Sequence, residues 1–170
     1  SDEAAQAAAS HTGSLAGSDE VVTSALSQVG AIRALTINEF FNLGKYLSMQ
    51  SLPKGNNLGI ITNAGGPGVL ATDAAVESGA SIAKLGQVKC DELSSVLPEH
   101  WSHSNPIDVL GDASAELYEQ ALKILGNARE IDGLLVILTP QDMTEPTKTA
   151  EVLAPYASQK KMPIIASWLG

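Results

Sequence analysis

Short apolar runs alternate with amphipathic segments from residue 58 to the end of the chain. The runs hold few polar side chains, as is typical of parallel strands covered on both faces, and the segments between them have helical spacing. The predicted strands are 58–62, 81–85, 133–138 and 164–166, with a short strand inside the loop 105–113. The predicted helices are 67–77, 91–97, 114–125 and 145–160, the last with Pro155 as a kink.

Cap signals predict two further helices before residue 50. Ser18, with two acidic residues after it, predicts a helix N-terminus, and that helix ends near Gly30. Thr36 and Glu39 have the spacing of a capping box ahead of a second, amphipathic helix.

The stretch 51–57 is polar and rich in helix breakers, and it predicts a domain boundary. We therefore expect a leading segment, 1–55, and a main domain, 56–170. The first ten residues are small and polar, with no pattern that would fold alone. The chain stops just after the strand predicted at 164–166, where an alternating fold would continue, so the main domain is expected to be truncated at that end.

Repeated strand–helix units predict an α/β fold, a flavodoxin-like three-layer domain with a parallel sheet and helices on both faces. Ligands of such sheets bind beyond the carboxyl ends of the strands. The segments 63–68, 105–112 and 139–142 all follow strands, so they are expected to converge at that edge.

The composition narrows the classes of partner. A formal charge of −9 argues against nucleic acid, whose phosphates the chain would repel. The single cysteine, Cys90, excludes an internal disulfide framework and indicates a reducing, cytoplasmic environment. No run reaches the length of a membrane span, and no signal peptide opens the chain.

A glycine-rich turn follows the first predicted strand of the main domain. Its residues are Asn63, Ala64, Gly65, Gly66, Pro67 and Gly68. Unpaired N–H groups and the helix dipole suit an anion at such a place, and proline is tolerated in the first helical turn. Two interpretations fit the turn: an anion cradle, or an ordinary strand-to-helix connection, since the pattern is not that of a dinucleotide fingerprint.

Three histidines are candidates for metal binding or for nucleophilic catalysis. His100 and His103 flank Trp101 without a companion ligand pattern, so no metal site is predicted and a surface position or loop packing is expected there. His11 lies among small and hydroxyl residues ahead of Ser18, which leaves room for a tetrahedral group on the ring. On its spacing alone, a surface histidine is the favoured interpretation.

Three stretches together resemble one family. They are 10–17 (SHTGSLAG), 62–71 (TNAGGPGVLA) and 105–113 (NPIDVLGDA). They look like the phosphohistidine loop, the strand-to-helix phosphate turn and a further loop of the nucleoside-diphosphate-forming acyl-CoA synthetases, within the succinyl-CoA synthetase superfamily. The motifs keep the family's order and extend across the chain, which makes them more specific together than any one alone.

The resemblance implies the reaction acid + ATP + CoA ⇌ acyl-CoA + ADP + phosphate, through an acyl phosphate and a phosphohistidine. By position, His11 would carry the phosphoryl group, and the helix that starts after the turn 65–68 would present one of two N-termini that hold it. Thr12 and Gly13 would support the histidine loop.

Other residues at the expected sheet edge could support the same chemistry. Asn63 and Asn105 could orient the imidazole or the phosphate. Two roles are equally open for Asp108: it holds a ring N–H and so fixes the tautomer, or it closes its own loop.

The resemblance also implies partners. The family's CoA-binding domain and its ATP-grasp module, which binds ATP and Mg²⁺, have no counterpart here, so the chain alone is expected to bind no cofactor and to be inactive. The segment 1–55 would be the tail of the preceding domain. The substrate would be a small carboxylic acid or its acyl phosphate.

The strongest alternative is a non-catalytic, ligand-sensing module fused to a protein acetyltransferase domain. Such versions are expected to lose the catalytic histidine, so the presence of His11 favours the enzyme. A flavin-binding domain is the third interpretation, and the lack of aromatic residues around 63–68 argues against it.

Overall fold

In a computed structural model, residues 2–12, 18–159 and 161–170 are described, with only the backbone at positions 2, 5, 8, 11 and 12. The chain divides into two units, Ser1–Tyr46 and Leu47–Gly170. None of the described helices is long and apolar enough to cross a membrane.

The first unit is helical. Its helices are α1 (Asp2–Thr12), α2 (Asp19–Gln28) and the start of α3 (Ile37–Met49). The first ten residues showed no pattern that would fold alone, and the structure has them in α1 from Asp2 onward. Five alanines favour the helix through intrinsic propensity, although no apolar periodicity marks it.

The predicted caps account for the other two helices. Ser18 is the N-cap of α2, although its side chain does not close the cap, and Gly30 has the positive φ of a residue that ends a helix. The Thr36 hydroxyl accepts from the N–H of Glu39 at 3.1 Å, and the Glu39 carboxylate accepts from the N–H of Leu35 at 2.7 Å. The capping box is therefore confirmed, with the glutamate reaching one residue further back than usual.

The second unit contains a parallel sheet. Its elements are β1 (Asn57–Thr62), α4 (Gly65–Glu77), β2 (Ser81–Ile82), α5 (Gln87–Ser94), β3 (Ile107–Asp108), α6 (Ala115–Leu125), β4 (Gly133–Leu138), α7 (Pro146–Ser158) and β5 (Ile164–Trp168). The strand order among the described residues is β2-β1-β4-β5, and the short β3 pairs with the carboxyl half of β1. All of these pairings are parallel, which confirms the predicted flavodoxin-like α/β class.

Helices cover both faces of this sheet. Ile61, Val136 and Leu138 pack with α6 and α5 side chains in the main core. Their neighbours along the strands, Ile60 and Thr62, point the other way, because side chains alternate along a strand. Gly68 of α4 packs against the Thr62 methyl on that second face.

The predicted strand 81–85 is shorter in the structure and ends at Ile82. The position beside β1 beyond Ile82 is taken by the Asn105 side chain and then by β3. No sequence pattern predicts that the Asn105 side chain would bind the edge of β1 in place of a longer β2.

Three predicted helix bounds also differ. α4 begins at Gly65, so the glycines form its first turn and do not precede it. α5 begins four residues earlier than expected, and the predicted residues up to Leu97 continue it as turns, with the N–H of Leu97 bound to the Leu93 carbonyl at 2.8 Å. α7 spans Pro146–Ser158 with Pro155 inside it.

Candidate functional site

The three loops predicted to converge do so at the carboxyl edge of the sheet. Asn63 Nδ2 donates to the Thr139 carbonyl at 2.9 Å, and Thr139 N donates to Asn63 Oδ1 at 2.8 Å. These two bonds join the end of β1 to the end of β4. Gly111 lies against the Gln141 side chain, which brings the 105–112 loop to the same place.

The centre of this edge is the N-terminus of α4. The N-cap residue is Ala64, whose side chain makes no capping hydrogen bond. Thr62 Oγ1 accepts from Ala64 N at 3.1 Å, Pro67 has no N–H, and Gly68 N donates to the Ala64 carbonyl at 3.3 Å. The N–H groups of the first turn that remain for an outside acceptor therefore belong to Gly65 and Gly66, at the positive end of the helix dipole.

The glycines of this turn differ in how much space a side chain would have at each position. A Cβ on Gly68 would come within 3.0 Å of the Thr62 methyl, so this position is small for packing. Among the described residues, nothing lies within 4 Å of a Cβ built on Gly66, and neither Gly65 nor Gly66 has a positive φ. Neither packing against the described residues nor backbone conformation therefore requires glycine at position 66.

Asn63 is 2% exposed and holds the edge together. Both polar atoms of its side chain bind the backbone of Thr139. Asn63 therefore positions the turn by holding it to β4, and both polar atoms of its side-chain amide are used in these two bonds. The sequence could place Asn63 at the edge but contained no sign of its partner.

Asn105 is engaged in the same way. Its Nδ2 donates to the carbonyls of Leu58 at 2.8 Å and Ala83 at 3.0 Å, and its Oδ1 accepts from Ile60 N at 2.9 Å. Both amide protons are used by strand backbone, so the side chain links β1 to the segment after β2. In this conformation the amide has no proton left for an imidazole or a phosphate.

Of the two roles left open for Asp108, the structure shows the loop-closing one, and the bond to a ring N–H stays a prediction. Its Oδ1 accepts from Leu110 N at 2.9 Å, which closes its own loop. Its Oδ2 faces the first turn of α4, 3.5 Å from where a Cβ on Gly65 would stand. The loop-closing role is confirmed, and the second oxygen is placed where a ring N–H bound above α4 could reach it.

Tyr118 lies beneath this edge. It is fully buried and donates to the Ile137 carbonyl at 2.8 Å. Burial, and to a smaller extent the negative charge of Asp108, hold the pKa of the Tyr118 hydroxyl well above its usual value. The hydroxyl is a neutral structural donor at all ordinary pH.

The predicted histidine loop is described only in part. His11 and Thr12 are the last two residues of α1, and His11 was expected in a loop. The side chains of both residues, and Gly13, lie outside the described residues, so their roles remain predictions.

Of the remaining histidines, His103 packs within its loop and His100 lies at the surface. His103 Nε2 lies 3.0 Å from the Glu99 carbonyl, and its ring lies 4.9 Å from the ring of Trp101. His100 is exposed. Over residues 2–12, 18–159 and 161–170, no group of three His, Cys, Asp or Glu side chains is placed to hold a metal ion.

Two residues of the edge were missed in the sequence. The Thr62 hydroxyl bonds both to the N–H and to the carbonyl of Ala64 and so fixes the entry to α4. Glu145 Oε2 accepts from Ala115 N at 3.3 Å, which ties the end of the 139–145 loop to the start of α6. A hydroxyl as the last residue of a strand before a glycine turn was the available signal for Thr62.

Comparison with known proteins adds the family context. The profile of the Ligase-CoA domain matches residues 58–168, and that of the succinyl-CoA ligase like flavodoxin domain matches residues 1–47. The chain is 39% identical to the alpha subunit of acetate–CoA ligase [ADP-forming] I of Pyrococcus furiosus, over 100% of this chain and 37% of that protein. It is 42% identical to acetate–CoA ligase [ADP-forming] I of Archaeoglobus fulgidus, over 89% of this chain and 22% of that protein.

The fold is also similar to that of a solved acetyl-coenzyme A synthetase. The acetyl-coenzyme A synthetase 1 of Ca. Korarchaeum cryptofilum, in complex with phosphate and ADP, superposes with a TM-score of 0.91 at 30% identity. The match covers 100% of this chain and 37% of that one. The chain thus spans well under half the length of these relatives.

Proposed function

Because the chain belongs to the Ligase-CoA domain family, we propose that it is a segment of an acyl-CoA synthetase that interconverts acid, ATP and CoA with acyl-CoA, ADP and phosphate. Relatives that support this are named as ADP-forming ligases of acetate and of 4-hydroxybutyrate. The names differ in the acid, so the proposal extends to small carboxylic acids as a class.

The observation that carries the proposal is the uncapped N-terminus of α4. Gly65 and Gly66 present backbone N–H groups at the carboxyl edge of the sheet, and none of the described side chains lies within 4 Å of a Cβ built on Gly66. This arrangement binds a phosphate through neutral donors and the helix dipole. Because it adds no cation, it stabilises the phosphate without a salt bridge that would slow its transfer.

His11 is the proposed phosphoryl carrier. In the direction of ATP synthesis, phosphate attacks the thioester carbonyl of acyl-CoA, and CoA leaves as the acyl phosphate forms. A ring nitrogen of His11 then attacks the phosphorus, the P–O bond to the acyl group breaks, and the acid leaves as a carboxylate. The terminal oxygen of ADP finally attacks the same phosphorus and breaks the P–N bond.

Asp108 is the proposed positioning residue for that histidine. Its Oδ2 lies beside the helix end that would hold the phosphate. A carboxylate there would repel a free phosphate but would accept the N–H of a ring that carries the phosphoryl group on its other nitrogen. Thr12 and Gly13 are proposed to shape the loop around the ring.

The other substrates are proposed to bind outside this chain. The described residues form no metal cluster, so no step through Mg²⁺ is assigned to them. We assign ATP and Mg²⁺ to an ATP-grasp partner, CoA to a CoA-binding domain, and the whole enzyme to the cytoplasm.

The test is turnover by the intact parent protein. Acyl-CoA and ADP formation are measured with acetate, ATP and CoA, for the wild type, His11→Asn and His100→Asn. The proposal predicts that the wild type and His100→Asn turn over and that His11→Asn does not. Turnover by His11→Asn would remove the role of His11, and a wild type that is inactive with every acid tried would point to the ligand-sensing module.

A further inference from the structure

Two adjoining cavities open at the amino edge of the sheet, on the opposite side from the candidate phosphate site. Their volumes are about 140 and 250 Å³, and Gly126, Lys161 and Met162 line both. We name them together the amino-edge groove. Its combined size approaches that of small-molecule sites, and no step of the proposed reaction uses it.

The larger half of the groove is cationic. Lys54, Arg129 and Lys161 line it, in a chain whose formal charge is −9. The salt bridges found in the described part of the chain all involve other basic residues. Asp132 lines the same half, and its Oδ2 accepts from Asn57 N at 3.1 Å, so one acidic group faces three basic ones.

The smaller half has an apolar floor. Leu122, Leu134 and Ile164 form it, and each of them is at least nine-tenths buried. The Tyr156 ring stands at its side, and burial raises the pKa of the Tyr156 hydroxyl. A flat, apolar group could enter here with its polar edge toward the hydroxyl.

Helix dipoles alone do not explain the basic residues. α6 and α7 both end at this edge, and cations there would offset the negative helix ends. That effect is confined to the last turn, and Lys123, which occupies it in α6, is paired with Glu119 at 2.9 Å. Arg129 and Lys161 follow the helices by several residues, and Lys54 belongs to the segment before β1.

We propose that the amino-edge groove binds a nucleotide, with the phosphates on the cationic half and the base on the apolar half. The same chemistry is present in a free adenine nucleotide and in the nucleotide end of CoA. The site is separate from the α4 cradle, so binding there does not depend on the proposed reaction.

The test is titration of the isotope-labelled chain with ADP, CoA and inorganic pyrophosphate, followed by backbone amide shifts. We expect ADP to move the amides of Arg129 and Lys161 and to bind at least tenfold more tightly than pyrophosphate, because only ADP uses the apolar half. The Arg129→Gln/Lys161→Gln variant should bind ADP about tenfold or more weakly, since each charged hydrogen bond lost costs that much. Lys84→Gln, which removes a cation away from the groove, should bind as the wild type does.

The remaining outcomes decide the proposal and its ligand. Competition between CoA and ADP identifies the shared nucleotide end as the ligand, and binding of ADP alone restricts the site to free nucleotides. Equal binding of ADP and pyrophosphate, unchanged binding by the double variant, or shifts confined to Gly65 and Gly66 would each overturn the proposal. The last of these would instead support the α4 cradle.

Discussion

Asn105 offers the sharpest test of how the carboxyl edge is built. Its side chain makes three hydrogen bonds to strand backbone, to Leu58, Ile60 and Ala83, at 2.8 to 3.0 Å. Ile60 and Ala83 are buried, at 0% and 4% exposure. Asn105→Ala removes all three bonds and leaves Ile60 N and the Ala83 carbonyl without the partner that Asn105 provides, whereas the Leu58 carbonyl keeps its bond from Ala83 N at 2.9 Å.

The expected cost follows from the bonds lost. A net contribution of about 1 kcal/mol for each gives a loss of about 3 kcal/mol in the free energy of unfolding. That is a large share of the 5–15 kcal/mol that is typical of a domain. Asn127→Ala is the matched control, because Asn127 is exposed and its amide makes one bond, to the Lys123 carbonyl at 3.1 Å.

The assay is urea unfolding followed by tryptophan fluorescence, since Trp101 is buried in the same unit. The midpoint and slope give the free energy of unfolding for each variant. A loss near 3 kcal/mol for Asn105→Ala and under about 0.5 kcal/mol for Asn127→Ala supports the structural role. Two variants of equal stability would refute it and return Asn105 to the list of ligand-binding candidates.

Three further changes test other parts of the structure. Gly59→Ala should cost about 1–3 kcal/mol in urea unfolding, because its Cβ would stand 2.8 Å from Ile131 Cδ1 in the core; an unchanged midpoint would contradict this packing. The free energy of unfolding should fall as the pH rises above about 10, because the unfolded state then loses the Tyr118 proton that the native state retains. Tyr118→Phe should weaken this fall, and an identical pH profile for the two proteins would contradict the prediction. Gly66→Ala should leave the unfolding midpoint unlowered but slow phosphorylation of the parent enzyme about tenfold or more, since a methyl group would stand in the approach to the helix end. Gly44→Ala, also at a helical glycine whose Cβ would have no described atom within 4 Å, should likewise leave the midpoint unlowered but should not change phosphorylation.

Much of the fold could be predicted because local signals and tertiary structure agree. The strand 133–138 is apolar throughout and is found as β4 with those bounds. The helix predicted at 114–125 is found as α6, with Ser114 as its N-cap, whose side chain accepts from Leu117 N at 3.4 Å. Where the local pattern and the packing favour the same element, the sequence is sufficient.

The site could be located but not assembled from the sequence. The rule that ligands bind at the carboxyl edge brought the loops around Asn63 and Asp108 together correctly. It could not show that Asn105 reaches back to Leu58 and Ala83, because that contact spans residues far apart in the chain. Roles that depend on such long-range hydrogen bonds become visible only in three dimensions.

The proposed reaction depends above all on His11 as the carrier of the phosphoryl group. The direct measurement is labelling of the intact parent protein with γ-labelled ATP, followed by mapping of acid-labile, alkali-stable phosphate on the peptide that contains His11. We expect a label that is lost when ADP, or the acid together with CoA, is added, and that never forms in His11→Asn. Turnover of acid, ATP and CoA without any label on that peptide would contradict it.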